Sequence, residues 1–167
     1  MYAWAVGRVI RRQFARLSAG DWRRPFARFG SDAVLRFPGD HGLAGEFRGR
    51  PAIRDWFERT WSLFDMAFTV DAVAVAGPPW DMEVSVRWRN QPRTGDGRVF
   101  PNRGMSFIRV RWGRVVEDEL YEDTQVLADA VAHAEILAAA RATAGRPTGG
   151  TSARALAPSA APRPAAP

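Results

Sequence analysis

The chain opens with a helical pattern of apolar residues. This pattern predicts an amphipathic helix over residues 3–18 with arginines on its outer face, and its apolar positions are Val6, Val9, Ile10, Phe14 and Leu17. Asp21 is suited to cap a second, short helix over residues 22–29. The next apolar residues alternate with other residues, which predicts a short strand over residues 33–37.

A glycine-rich segment, residues 38–51, follows this strand. No Lys-Ser or Lys-Thr pair follows its glycines, so we interpret it as a plain loop and not as a phosphate-binding loop. Pro51 suits the first turn of a helix over residues 51–64. One face of that helix carries a mostly aromatic stripe, which consists of Ile53, Trp56, Phe57, Thr60, Trp61 and Phe64.

After residue 65 the apolar period changes from helical spacing to alternation. This predicts four long antiparallel strands followed by a helix from Thr124 to about Ala144. Turn sequences separate the strands, which we place at residues 67–76, 82–92, 99–112 and 114–122. The order of elements indicates an α+β fold with helices on one face of a curved sheet, an arrangement that leaves room for a cavity between the two layers.

Composition limits the folded part and its chemistry. Residues 145–167 are rich in Pro, Ala, Gly and Ser without an apolar period, so we expect a disordered tail after one domain of residues 1–144. The chain has no cysteine, which excludes disulfides and thiolate metal sites. Its two histidines do not form a metal-binding motif. We therefore expect neither a metal nor a cofactor.

Charge and hydropathy bear on location and partners. No apolar run approaches the roughly 18 residues of a membrane span, and the start of the chain does not resemble a signal peptide. We expect a cytoplasmic protein without a membrane partner. Residues 1–30 carry seven arginines and one aspartate, whereas residues 31–144 carry 14 arginines and 17 acidic residues. Because the basic bias is absent from most of the folded part, nucleic-acid binding is a weak alternative.

Three segments resemble the SnoaL-like (polyketide cyclase-like) group of the nuclear transport factor 2-like, or NTF2-like, superfamily. They are LSAGDWRRPFARFGSDAVLRFPG (17–39), GRPAIRDWFERTW (49–61) and RVRWGRVVEDELYEDTQVLADAV (109–131). The resemblance implies a cone-shaped fold with an internal pocket, and a homodimer formed through the outer sheet face. It also implies cofactor-free acid/base chemistry of cyclase, isomerase or dehydratase type on a small hydrophobic carbonyl compound. A non-catalytic ligand-binding or dimerisation module is the alternative, because this superfamily hosts both.

The catalytic groups of two related enzyme types are missing. Steroid delta-isomerases of this fold carry a tyrosine and two acidic residues at positions that correspond to Gln13, Phe37 and Ser106. Epoxide hydrolases of this fold need an Arg-x-Asp pair on a central strand, and residues 82–112 contain none. We therefore expect neither chemistry here.

The acidic run VVEDELYEDTQ, residues 115–125, holds the main catalytic candidate. In SnoaL-like cyclases an aspartate just before the last helix serves as acid/base, and by resemblance Asp123 takes that role. A simple helix N-cap is the alternative, and the partner histidine of those cyclases has no counterpart here. Strand alternation divides the run into two faces. The resemblance selects as the pocket face the one with Glu117, Glu119, Tyr121 and Asp123.

The other candidate catalytic and ligand-binding residues each have a structural alternative. Tyr121 has two interpretations: its hydroxyl stabilises an oxyanion, or the residue is a core tyrosine whose hydroxyl has a structural partner. His41, in the glycine-rich loop, is suited to replace the missing base, or is simply exposed. Asn102 is a candidate ligand contact, because buried amides need partners. The aromatic residues that either wall a pocket or fill it are Trp22, Trp56, Trp61, Trp88 and Phe37.

Overall fold

The computed structural model describes residues 2–144, and the predicted tail over residues 145–167 lies outside them. The predicted α+β fold is confirmed. The helices are α1 (Tyr2–Ser18), α2 (Arg23–Phe26), α3 (Gly49–Leu63) and α4 (Thr124–Ala144). The strands are β1 (Phe29–Phe37), β2 (Gly45–Arg48), β3 (Phe68–Ala76), β4 (Asp81–Asn90), β5 (Asn102–Arg111) and β6 (Arg114–Glu122).

The six strands form one curved, unclosed sheet in the order β2-β1-β6-β5-β4-β3. Neighbouring strands are antiparallel except for β1 and β6, which are parallel. The register shifts between Val70 and Ala72 of β3, and again between Arg109 and Val110 of β5. Such irregularities bend strands and increase their twist, which allows the sheet to wrap over the helices.

Two local predictions differ from the structure near the start of the sheet. The second helix is only four residues long, and Asp21 does not cap it. Its carboxylate instead pairs with Arg16 at 3.2 Å and Arg24 at 3.4 Å. The residues that follow α2 begin β1 at Phe29, earlier than predicted. The glycine-rich loop contains the strand β2, whose mostly exposed side chains provide no apolar alternation.

The apolar interior consists of two clusters. The first is held by β1 and the helices α3 and α4, and it includes Leu35, Phe57 and Leu127. The second lies under α1, where Phe14 packs on the inner face of β4 next to Trp88. Residues of both clusters line the space between them. The curved sheet therefore leaves its middle open, and this position holds the candidate site.

Candidate functional site

An internal cavity of about 380 Å³ lies between the two apolar clusters. Four of the aromatic residues named from the sequence line it: Phe37, Trp56, Trp61 and Trp88. Trp22 does not line this cavity, because it is buried in the first cluster and stacks on Phe57 with ring centroids 5.8 Å apart. The aromatic side chains thus form walls around a space of ligand size and do not fill it.

Asp118 points into this cavity from the middle of β6. Its register partners Leu35 of β1 and Ile108 of β5 are both buried on the inner face. Its Oδ1 is covered and has no hydrogen-bond partner among residues 2–144. Burial disfavours the charged carboxylate and, with a smaller contribution from the charge of Glu119, raises the pKa of Asp118 to about 7. This carboxyl group can therefore hold or release a proton near neutral pH.

Glu122 points into the same cavity four residues further along β6. Nδ2 of Asn102 donates a hydrogen bond to its Oε2 at 3.1 Å, and Nδ2 of Asn90 donates to the same atom at 3.5 Å. Burial is again the main cause that raises the pKa of Glu122 to about 7; the Asn90 hydrogen bond acts in the opposite direction. Along an extended strand, four residues place Asp118 and Glu122 about 13 Å apart.

Other polar atoms of the cavity wall are left without partners. Gln13 Oε1 and Asn90 Oδ1 are covered acceptors that receive no hydrogen bond within residues 2–144. Ser106 accepts a hydrogen bond from Nε1 of Trp88 at 3.0 Å, and its own proton is available to a further acceptor. Buried polar atoms of native proteins normally have a partner, so these acceptors indicate that a ligand or water completes the site.

The cavity also contains the three positions that correspond to the delta-isomerase catalytic groups. Gln13, Phe37 and Ser106 all line it. None of the three carries the delta-isomerase group. In this chain the acidic groups of the cavity come from β6 instead.

The expected pocket face of the acidic run is wrong: the other face of β6 points inward. Arg36 of β1, on the outer face, binds Glu119 at 2.8 Å and also pairs with Glu117. The Tyr121 hydroxyl donates to Oε2 of Glu119 at 3.2 Å, and its side chain is exposed. The charge of Glu119 raises the pKa of Tyr121. Because Arg36 pairs with both carboxylates at the surface, the outer face accommodates the acidic cluster without burial.

Asp123 lies outside the apolar cavity. Its side chain is exposed, and its Oδ1 accepts a hydrogen bond from the backbone nitrogen of Val126 at 3.3 Å, which is an N-cap contact for α4. Asp123 instead lines a second, polar pocket together with Asn102 and Asn90. Asn102 also donates to the backbone oxygen of Asp123 at 3.1 Å. The catalytic role of Asp123 stays a prediction made from the resemblance.

His41 also lies apart from the residues that line the apolar cavity. Its ring packs against Phe37 with centroids 5.1 Å apart, and its Nδ1 accepts a hydrogen bond from the backbone nitrogen of Leu43 at 3.3 Å. Partial burial lowers the pKa of His41, so the ring is neutral at pH 7. The structure thus places His41 behind the Phe37 wall.

The sequence interpretation missed the two inward carboxyl groups, although one signal pointed to them. Leu120 lies between Asp118 and Glu122 on the same face of β6 and lines the cavity. In the acidic run it is the aliphatic side chain that follows Val115 and Val116. An aliphatic residue in a charged strand usually marks the buried face. This signal favours the inward face that the structure shows.

A curved, mostly antiparallel sheet wrapped over helices, with an apolar cavity between the layers, is the fold of NTF2-like proteins. Within this class the chain belongs to a particular family: residues 10–118 match the SnoaL-like domain. The resemblance drawn from the sequence is therefore confirmed. No curated protein matches the sequence.

Solved structures support the same fold. Bal32a, from a soil-derived mobile gene cassette, has a TM-score of 0.62 at 22% identity over 77% of this chain and 98% of its own. TerC, co-crystallised with polyporic acid, has a TM-score of 0.62 at 14% identity over 76% and 97%. A candidate polyketide cyclase from Xanthomonas campestris pv. campestris has a TM-score of 0.56 at 16% identity over 76% and 96%. At these identities the likeness shows the fold alone.

Proposed function

We propose that the protein binds a small hydrophobic carbonyl compound in the apolar cavity and catalyses proton transfer on it without a cofactor. Asp118 and Glu122 act as the acid and the base. The observation that carries this proposal is the presence of two inward carboxyl groups, each with a pKa of about 7, in an otherwise apolar space. General acids and bases work best when their pKa lies near the working pH.

The reaction begins with one carboxyl protonated and the other ionised. The carboxylate of Glu122 takes a proton from a carbon that is conjugated with the carbonyl group through the fused rings, while protonated Asp118, at the other end of the ring system, gives its proton to the carbonyl oxygen. The product is the extended enol, with both protons accounted for. Return of a proton at a different carbon gives an isomer, and attack of the enol carbon on a second carbonyl of the same molecule closes a ring. In both outcomes Asp118 takes back the proton of the enol hydroxyl, and Glu122 gives its proton to the product. The two carboxyl groups thereby return to their starting protonation states.

The spacing of the two acids limits the size of the substrate. Because Asp118 and Glu122 lie about 13 Å apart along β6, a compound that contacts both carboxyl groups spans two or three fused rings. The aromatic walls of Trp56, Trp61 and Trp88 suit a flat compound of this kind. The co-crystallisation of TerC with polyporic acid supports an organic ligand in this fold.

A non-catalytic binding module is the competing function, and the cavity size bears on it. Ligand cavities start at roughly 300 Å³, and a smaller space would have favoured a module without a substrate. At about 380 Å³ the cavity is large enough for a ligand. If the protein binds the ketone but does not exchange its protons with solvent, it is a non-catalytic binding module.

A plugging variant tests the site. Leu120→Trp places a large side chain between the two carboxyl groups, so it is expected to weaken binding of fused-ring aromatic ketones by at least about tenfold. Quenching of tryptophan fluorescence gives the affinity. Incorporation of solvent deuterium at a ring carbon conjugated with the ketone, followed by mass spectrometry, reports proton transfer.

Tyr121→Trp is the matched control, because it adds an indole at the next residue of β6 on the outer face. The wild type and this control should have the same affinity for the ketone and the same rate of deuterium incorporation. Equal binding by Leu120→Trp would place the ligand elsewhere and overturn the site.

The outer sheet face supports the proposed homodimer. Phe107 of β5 is 44% exposed there, and its ring lies 5.9 Å from that of Tyr121 in an edge-on contact. Met105 lies beside them and is also exposed. An exposed apolar group on a sheet face is typical of a protein interface.

Phe107→Glu is expected to convert the dimer to a monomer, because it would place two charges without partners in the interface. Phe107→Leu keeps the apolar surface and should stay dimeric. Analytical ultracentrifugation at micromolar concentration gives the mass of both variants. A wild-type protein that sediments as a monomer would refute the dimer.

A further inference from the structure

The cavity opens at one end of the molecule. Four of its lining residues within residues 2–144 are exposed, and these mark the mouth: Ala5 and Val9 of α1, Arg28 after α2, and Gly113 in the turn between β5 and β6. The rest of the lining is buried or half-buried. The mouth therefore lies between the first half of α1, the end of α2 and the β5–β6 turn.

Large aromatic side chains are exposed at this same end. Trp4 in α1 is 69% exposed, Trp80 in the β3–β4 turn 54%, and Trp112 in the β5–β6 turn 82%. The two turns are joined, because the backbone nitrogen of Trp112 donates to the carbonyl oxygen of Trp80 at 3.0 Å. The hydroxyl of Tyr2 reaches the carbonyl oxygen of Gly77, which ties the start of α1 to the β3–β4 turn. These residues form one aromatic rim beside the mouth.

The backbone conformation and the exposure of Trp112 do not stabilise the fold. Its φ of 47° lies in the left-handed region, which a bulky side chain adopts only at a cost in free energy. Its side chain is the most exposed of the large apolar ones within residues 2–144. An asparagine would satisfy the same turn with less strain. The indole at this position therefore points to a contact outside the folded chain.

Arginines surround the aromatic rim. The guanidinium of Arg8 lies 4.9 Å from the ring centroid of Trp4. Arg28 lies at the mouth, and Arg114, next to Gly113, donates to the carbonyl oxygen of Ala27 at 3.0 Å. Asp81, the first residue of β4, is bound by Arg109 at 3.1 Å and Arg111 at 3.2 Å. The rim thus presents indoles together with net positive charge.

We propose that this rim docks on the surface of an anionic lipid bilayer. Tryptophan prefers the boundary between lipid headgroups and acyl chains, and arginines near an anionic surface each contribute roughly a fivefold gain in binding. We expected no membrane partner because the sequence shows neither a membrane span nor a signal peptide, and docking on a membrane surface needs neither. No helix within residues 2–144 is long and apolar enough to cross a bilayer. Docking would bring the mouth against the lipid, from which an apolar substrate enters the cavity; this last step rests on the proposed function.

A second copy of the chain is the competing occupant of the rim. Two identical rims that meet across a two-fold axis would bring Arg8, Arg28 and Arg114 of one copy against the same residues of the other. Like charges that face each other across an interface weaken it. An anionic surface complements both the charge and the indoles, so the bilayer is the occupant that the rim favours.

The test uses the full chain and sucrose-loaded vesicles of phosphatidylcholine, alone or with 30% phosphatidylglycerol, in the absence of any other ligand. We expect sedimentation with the anionic vesicles, a blue shift of tryptophan fluorescence, and weak binding to the neutral vesicles. A variant with Trp80→Ser and Trp112→Ser should lose at least about tenfold in binding. Arg8→Gln should lose roughly fivefold.

Two matched controls accompany these variants. Ile136→Ser removes an exposed apolar residue from α4, and Arg103→Gln removes an exposed arginine at the end of β5 away from Trp112. Both should bind vesicles like the wild type. Circular dichroism checks that every variant folds.

Two results would overturn the proposal. Vesicle binding that is unchanged in the double tryptophan variant would mean attraction by charge alone. Self-association of the wild type that this variant abolishes in the absence of vesicles would assign the rim to a second copy. Because ketone binding is measured without vesicles and vesicle binding without ketone, failure of one proposal is distinguishable from failure of the other.

Discussion

An Asp118→Asn variant is expected to lose proton exchange by about 10²- to 10⁴-fold, the range that a positioned general acid contributes. Asparagine keeps the shape of the side chain and removes the group that titrates in the cavity. Binding of the ketone should change much less, because the apolar walls remain. Deuterium incorporation measures the first effect and fluorescence quenching the second.

The same variant should be more stable than the wild type at pH 8. The Oδ1 of Asp118 is covered and has no hydrogen-bond partner among residues 2–144, and the pKa of this carboxyl group is raised from 3.8 to about 7. At 1.36 kcal/mol per pKa unit, this burial costs on the order of 4 kcal/mol when the group is charged. A functional group that destabilises its own protein is expected at an active site. Urea unfolding at pH 8 gives the difference.

Asp123→Asn is the decisive control, because it distinguishes the structural site from the one predicted by resemblance. Asparagine still caps α4, so the variant should fold and retain full proton exchange. Loss of exchange in Asp123→Asn with retention in Asp118→Asn would reverse the assignment.

The second large effect is a fall in stability as the pH rises from about 4 to about 7. Asp118 and Glu122 ionise near 3.8 and 4.5 in the unfolded chain but near 7 in the folded protein. Between these values the folded state binds more protons, so the free energy of unfolding decreases with pH and then levels off. Together the two groups account for a decrease on the order of 8 kcal/mol.

Carboxylates held by arginines act in the opposite direction at lower pH. Arg89 lowers the pKa of Asp71, Arg109 lowers that of Asp81, and Arg36 lowers that of Glu46. Their contribution is present above the ordinary carboxyl pKa and is lost as the pH falls through the lowered values. The two trends together place the maximum of stability between about pH 4 and pH 5.

Urea unfolding at pH 4.5, 6, 7 and 8.5 checks this profile. A double variant with Asp118→Asn and Glu122→Gln should remove most of the decrease above pH 4.5. The same slope in wild type and double variant would show that other groups cause it, and it would contradict the raised pKa of both acids.

Much of the fold follows from the apolar pattern, because its elements bury one face each. The stripe on α3 and the alternation in β4 and β5 predict these elements within a few residues of their ends. Strand β2 escapes prediction for the converse reason. It pairs with β1 through its backbone and keeps most of its side chains in solvent, so no side-chain pattern marks it.

The site was harder to predict than the fold. Alternation separates Asp118 and Glu122 from Glu117 and Glu119, but it does not show which face of β6 is buried. That choice depends on Arg36 of β1, which lies 81 residues from Glu117 in the chain and meets it only in the folded sheet. A raised carboxyl pKa likewise exists only once the walls of the cavity are assembled.

The cavity between the two apolar clusters has a consequence for the abundance of the protein in a cell. A ligand that binds only the folded state adds its binding free energy to the stability of the fold, about 2.7 kcal/mol at a concentration one hundred times its Kd. Chains that find no ligand unfold more often and meet proteases more often. The amount of this protein is therefore expected to follow the supply of its proposed ligand.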